Sequence, residues 1–543
     1  MKNTDYTRRL VWLTLVVGLG AVSLGLIPTF DLFGMTIPKV DVLSSLRDEA
    51  IVEDVVEYEA DIARLEEELA AMTLPVEEVV DTMPEPMPVR YEWIIQAEEE
   101  VEHVALRSLD VRPEGSVVPI EDFDTLAVTR YQRLIERLAA GEDVRIAFMG
   151  DSFVEGDILT CDLRDALQSL VGGRGVGFVA CDIPFATVRK SVKRSSSGWT
   201  AYSVMKPKST PEALRDRFFI SGYIADGGAG ATTCWETTSQ YATLEGCTRG
   251  RVLLYSRDTS RVEVVVNDTL RQEFEIAGDG AVREIYVQMP MSALRLRVLQ
   301  GNVLCYGASL EGGRGVMVDN YSVRSNNGHA IFGTGATVNR QIDEMLGYDL
   351  VVLQYGLNIM QQGQRGYSRY RDQLRDMIAY AERCFPDAAI LVMGVSDRWV
   401  KGDSGSYEPI GSVDALTSYQ RAAADSTKVA FWNTSKAMEA LGGMPTFVSN
   451  GWAAKDYTHI NFAGGKRVAD ALVMALRQSL YDYLVVCEAE AACREEEMRQ
   501  REAEARQREA EARQRLEEQI NSVRPILDSV GIGVDGALSK VEE

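Results

Sequence analysis

Val144-Arg145-Ile146-Ala147-Phe148-Met149-Gly150-Asp151-Ser152-Phe153 is the stretch on which the fold turns. Val144 to Met149 is a short apolar run, the pattern of a strand buried on both faces of a parallel sheet. It runs directly into Gly-Asp-Ser and then toward a helix. A side chain at such a strand-to-helix turn projects from the sheet edge where α/β folds bind ligands. A backbone N–H at the start of a helix also points at developing negative charge. A plain helix N-cap accounts for Asp and Ser on their own, since both are preferred there.

Working outward, the strand has companions. Tyr348 to Gln354, Ala388 to Met393 and Val429 to Trp432 read as strands. Leu126 to Ala140, Tyr367 to Cys384, Ala415 to Ala424 and Phe462 to Leu480 read as helices. Strands alternating with helices predict a parallel sheet covered on both faces. Arg251 to Leu304 differs: short alternating runs such as Val262-Glu-Val-Val-Val and Leu294-Arg-Leu-Arg-Val are separated by turn signals. That is antiparallel pattern, and a sandwich is the expected arrangement. A β unit is therefore inserted in an α/β unit.

The chain has 543 residues, 46% hydrophobic and 25% charged, enough for two or three structural units. A formal net charge of -24 disfavours nucleic acid and anionic membrane surfaces as partners. Eight cysteines include no C-x-x-C pair and no Cys/His cluster and say little about metals; no metal and no cofactor is assigned. Cys234 and Cys247 are spaced to close a loop, with free buried thiols the equal alternative. Lys2, Arg8 and Arg9 precede a charge-free run from Leu10 to Phe30, which predicts a membrane-spanning anchor with the bulk of the chain outside the cytoplasm. A cleaved signal peptide ending at Ala21-Val22-Ser23 is the alternative.

Ile51, Val55, Tyr58, Ile62, Leu65, Leu69 and Met72 form a heptad seam, either a stalk over 51–72 that pairs two chains as a homodimer or, equally, a helix lying against its own domain. Pro75, Pro84, Pro86 and Pro88 follow among acidic residues as an extended linker, and a second acidic helix is expected from Tyr91 to about Val104. From about Glu488 to Gln519, Glu and Arg alternate at helical spacing, predicting a solvated helix held by side-chain ion pairs. The expected division is 1–30 anchor, 31–120 stalk and linker, 121–190 with 306–483 α/β domain, 191–305 β-sandwich, and 484–543 charged tail.

A serine hydroxyl needs a base, and histidine has the right pKa. The chain has three histidines, 103, 329 and 459. His103 lies in the acidic N-terminal region. His459 lies near the end of the α/β unit, with Asp456 three residues earlier, a spacing that lets a carboxylate fix the imidazole tautomer. Ser152 is thus the candidate nucleophile and His459 its base. Other features read as background. Glu155 and Asp157 read as solvated loop carboxylates rather than metal ligands. Gly172 to Gly177 reads as a flexible loop, since it lacks the Lys-Ser/Thr of a phosphate loop. Trp199 and Trp235 suit either sugar stacking or the core.

These motifs resemble the SGNH hydrolase family, also called GDSL esterases. Gly150-Asp151-Ser152 matches its first block and Asp456-Tyr457-Thr458-His459 its last. Gly356-Leu357-Asn358 matches part of the third block, with Ile359 where Asp is usual. Asp319-Asn320-Tyr321-Ser322-Val323-Arg324-Ser325 fits the second, with Ser325 in the place of Gly. The resemblance implies a three-layer, flavodoxin-like α/β sheet. It implies an oxyanion hole from the Ser325 N–H and the Asn358 amide, and Ser152, His459 and Asp456 as a triad. If the Ser325 position needs positive φ, serine there costs on the order of 1 kcal/mol. The layout, with a β-sandwich between first and second blocks, is similar to the branch holding bacterial peptidoglycan and polysaccharide O-acetylesterases. It implies an esterase acting on acetylated glycan; the anchor run independently makes that esterase membrane-anchored, with its catalytic domain in the periplasm or otherwise outside the cytoplasm. Acetyl transfer to a glycan and a silent glycan-binding protein are the alternatives.

Overall fold

The computed structural model describes residues 30–32, 35–37, 87–96, 105–185 and 189–529. The anchor run up to residue 29, the heptad seam at 51–72 and His103 lie outside the described residues. Among the described residues, no helix is long and apolar enough to cross a membrane. The chain divides into two compact units, Met1–Pro84 and Glu85–Glu543. In the first, Phe30–Leu32 pairs antiparallel with Met35–Ile37.

The second unit carries a six-stranded sheet. In chain order its strands are β1 (Glu121–Asp122), β2 (Val144–Gly150), β3 (Val316–Ser322), β4 (Leu350–Gln354), β5 (Ala389–Met393) and β6 (Ala430–Trp432). They lie side by side in the order β3-β2-β4-β5-β6-β1. All pairings are parallel except that of β1 with β6. Without the short antiparallel edge this is the flavodoxin-like order, whose switch point lies between β2 and β4.

The five parallel strands are buried throughout except for the half-buried Asn320 and Ser322 of β3, as apolar runs covered on both faces require. Helices α1 (Arg130–Ala139), α2 (Thr160–Val171), α3 (Ala336–Leu346), α4 (Ser368–Cys384), α5 (Val413–Thr427) and α6 (Phe462–Ser529) connect and flank them. Val144, Ile146 and Phe148 of β2 share one core with Leu134 and Leu138 of α1, Leu163 and Leu167 of α2, and Leu472, Leu476 and Leu480 of α6. That periodicity of two turns Arg145 and Ala147 to the opposite face.

The helix expected at Phe462–Leu480 and the charged helix of the tail are one continuous helix of 68 residues. Its core stripe ends near Leu484. Beyond it, pairs such as Glu490–Arg494 and Glu502–Arg506 sit at 3.6 Å on exposed positions four apart. Each such pair is worth a few tenths of a kcal/mol.

The inserted unit is antiparallel. Its long strand Tyr223–Thr237 pairs with Val192–Ser203, Ala293–Gln300 and Asn302–Gly312. Val252, Leu254, Val264, Ile285 and Leu296, drawn from strands well separated in the pairing order, share a second core. The strand Val89–Ile94 joins this sheet in parallel with Val282–Met291, where a helix starting at Tyr91 was expected. The period there is two: Tyr91 and Trp93 pack on the β core while Arg90 reaches Glu284 at 2.6 Å.

Gly172 to Gly177 is not a flexible loop either. Arg174–Ala180 is a strand paired with Asn302–Gly312. A Cβ on Gly175 would lie 2.2 Å from the Leu310 carbonyl oxygen, so the glycines admit a close backbone crossing. All eight cysteines are free thiols, Cys234 and Cys247 included.

The two sheets meet around Arg145. Its guanidinium donates to Asp319 on β3 (2.7 Å), and to Glu311 (2.7 Å) and Ser309 (2.8 Å) at the end of the insert. Arg251 joins Glu284 and the Met345 carbonyl nearby. Burial alone would raise the Glu311 carboxyl, but Arg145 and Arg251 outweigh it and hold it below the carboxylate range. Removing one partner of a buried pair strands the others. Arg145→Ala is therefore expected to lower stability by about 3–5 kcal/mol in urea unfolding. A loss under about 1 kcal/mol would show that the network does not hold the units together.

Candidate active site

At the carboxyl edge of the sheet the chain leaves β2 through Gly150. A Cβ there would lie 2.4 Å from Val154 Cγ2, so the turn folds back too closely for any side chain. Asp151 is fully buried, and its Oδ1 accepts the Phe153 N–H at 2.9 Å. This side-chain turn leaves Ser152 half-buried at the edge while Phe153 enters the core. Burial pushes the Asp151 carboxyl up to about 7, against the Phe153 N–H and the charge of His459.

The second block follows β3. Val323 N–H donates to the Gly150 carbonyl at 2.9 Å, and Asn320 Nδ2 donates to the Val154 carbonyl (2.8 Å) and Thr160 Oγ1 (2.7 Å). Arg324 Nε donates to Glu155 Oε2 at 2.5 Å. Ser325 is buried with φ of 56°. The left-handed conformation expected of a glycine is therefore present in a serine, at a cost of about 1–2 kcal/mol. Among the described residues the N–H groups of Ser152 and Ser325 have no acceptor within the protein.

The third block follows β4. Gly356 has φ of 132° and starts a short 3-10 turn, Leu357–Ile359. Asn358 Nδ2 lies 3.1 Å from the Asn326 carbonyl and 3.4 Å from Asp151 Oδ2. The amide is thereby held between the nucleophile turn and the chain just past Ser325.

The last block is a tight loop before α6. Asp456 Oδ1 accepts the N–H groups of Thr458 (2.9 Å) and His459 (3.1 Å), while Oδ2 meets His459 Nδ1 at 2.6 Å. That contact places the proton on Nδ1 and leaves Nε2 as the basic nitrogen. Burial tends to raise the Asp456 carboxyl, but its bonds with His459 prevail and lower it. Burial raises the Asp151 and Glu155 carboxyls, and the charge of His459 acts against it at both. Among the described residues Ser152 Oγ makes no hydrogen bond. Such contacts are often long until substrate binds.

Two expectations fail here. Glu155 and Asp157 are buried, not solvated. Asp157, at φ 72°, accepts from Arg164 (2.9 Å), Arg189 (3.1 Å), Thr160 (2.6 Å) and Ser191. It ties the start of α2 to the chain leading into the β unit. Glu155 ties the first block to the second through Arg324. Arg324 lies 169 residues from Glu155 and Arg189 lies 32 from Asp157, so local composition did not reveal these pairs, although Arg164 lies only seven residues from Asp157. Trp235 is core and donates to the Ala180 carbonyl, and Trp199 is partly buried against the same core. His329 lies edge-on to Phe332 rather than with the triad candidates. Among the described residues no group of three or more His, Cys, Asp or Glu is arranged to hold a metal ion.

No family model matches the chain, and no curated protein does. Among solved structures, a peptidoglycan O-acetylesterase aligns at 21% identity and TM-score 0.55, covering 67% of this chain and 99% of that one. A family two carbohydrate esterase from Cellvibrio japonicus aligns at 11% identity and TM-score 0.23, covering 54% and 99%, too weak a likeness to argue from. The first match is one of fold: the chain has a flavodoxin-like α/β sheet with a β unit inserted between β2 and β3.

The buried Asp151 gives a signed expectation. Its folded pKa of about 7 exceeds the ordinary 3.8. The stability it contributes is then complete at low pH and is lost as pH rises through about 7. Asp151→Asn cannot ionise, so between about pH 5 and pH 8 it should lose less thermal stability than the native chain. Parallel melting curves across that range would contradict the assignment.

Proposed function

We propose that this chain is a serine esterase that removes O-acetyl groups from a cell-wall or envelope polysaccharide outside the cytoplasm. The observation that supports the reading is that the turn of Ser152, Ser325 and Asn358 follow three adjacent strands at one sheet edge, with Asn358 near Asp151 and with Asp456 bonded to His459 on the loop before α6. The fold-level match to a peptidoglycan O-acetylesterase supports the substrate class, and the basic residues before the apolar Leu10–Phe30 run support anchoring.

Chemistry follows from the geometry. His459 Nε2 takes the proton of Ser152, whose Oγ attacks the acetyl carbonyl carbon. The carbonyl oxygen becomes an oxyanion facing the N–H groups of Ser152 and Ser325 and the Asn358 amide. Asp456 stabilises the imidazolium without taking its proton. The C–O bond to the sugar breaks, and His459 protonates the departing hydroxyl. Water, deprotonated by His459, then attacks the acetyl-serine; acetate leaves and Ser152 is restored.

Full-length protein should release acetate from O-acetylated peptidoglycan sacculi. Asn358→Ala should lower kcat by about 10²–10³-fold, the usual cost of one oxyanion donor. Ser152→Ala should release none, and acetate release at the native rate by that variant would rule the reading out.

A further inference from the structure

The loop carrying the triad candidates is overlaid by a hairpin that neither the motifs nor the mechanism uses. Trp399–Lys401 pairs antiparallel with Tyr407–Pro409 around a Gly402–Gly405 turn. It is rooted on both sides of the site. Arg398 Nη1 donates to the Leu357 carbonyl, beside Asn358, at 3.1 Å. Trp399 N–H donates to the Tyr457 carbonyl, between Asp456 and His459, at 3.1 Å.

Tyr457 holds a left-handed backbone, φ 56°. Its ring is stacked with that of Tyr407, with centroids 4.0 Å apart and planes 18° apart. Tyr457 also packs against the α/β core, whereas Tyr407 is 37% exposed. The order is therefore core, Tyr457, Tyr407, solvent. Lys401, also exposed, lies directly opposite Tyr407 in the hairpin register and so on the same face, while Glu408, on the other face of the strand, is held by Gln362 at 3.2 Å. An exposed aromatic face with a lysine beside it matches a sugar ring, which has an apolar C–H face and a rim of hydroxyl groups.

We propose that the outer face of Tyr407 is a glycan subsite. It stacks a pyranose ring of the polysaccharide next to the acetylated sugar and so sets the polymer across the Ser152–His459 edge. The proposal rests on the esterase reading above. It gives the insert between β5 and α5 a purpose beyond holding the His459 loop.

The test compares two substrates and one binding measurement in full-length protein. Tyr407→Ala should lower kcat/KM for O-acetylated sacculi about tenfold more than for p-nitrophenyl acetate, the size of one lost aromatic contact. Tyr407→Trp should recover most of the polymer rate. In the Ser152→Ala background, which needs no turnover, Tyr407→Ala should weaken pull-down by O-acetylated sacculi by a similar factor. Equal losses on both substrates with unchanged pull-down would overturn the subsite and leave Tyr407 as a support for the His459 loop. Absence of acetate release by the native chain, with pull-down still dependent on Tyr407, would sink the esterase reading while the subsite stands.

Discussion

Arg145 is the residue on which the architecture depends. It sits in β2, buried, between Asp319 of β3 and Glu311 of the insert. β2 and β3 are separated by the whole β unit in sequence, yet they pair in register from Val144–Val316 to Gly150–Ser322. Three buried charges tolerate little displacement, because each unpaired ion carries a penalty of several kcal/mol. The pairing delivers the Val323 N–H to the Gly150 carbonyl, and with it the second block to the first. Site geometry at one end of the strands is thus set by an electrostatic constraint near the other.

Strain is concentrated at that far end. Among the described residues, six non-glycine residues have positive φ, and Asp157, Ser325 and Tyr457 lie in three of the loops that build the site. Each is held by a specific contact: Asp157 by two arginines, Ser325 next to the Arg324–Glu155 pair, Tyr457 beneath Tyr407. Strained backbone persists where its surroundings over-determine it, which is typical of sites that must be ready before substrate arrives.

The sequence made the parallel sheet and the blocks legible for a simple reason. Buried parallel strands are continuous apolar runs, and the candidate residues sit where those runs end. Asp456 and His459 lie three apart on one loop, so spacing alone predicts their contact. What could not be read depends on pairing at a distance. Glu155 and Asp157 look solvated beside Ser152 because Arg324 and Arg189, which pair with them, come from distant parts of the chain. The Val89–Ile94 strand was obscured by the acidic residues after it, which read as helix. The glycines at 172–177 resembled a loop because only the neighbouring strand reveals why no Cβ fits. The role of Tyr407 depends on a stack across 50 residues of chain.

The central claim is that Ser152 is a nucleophile activated by His459. Labelling with a fluorophosphonate probe, read by mass spectrometry, tests it without assuming any substrate. A single adduct on Ser152 is expected, lost in Ser152→Ala and strongly slowed in His459→Ala. An unlabelled native chain, or labelling of Ser152 that is as fast without His459, would contradict it.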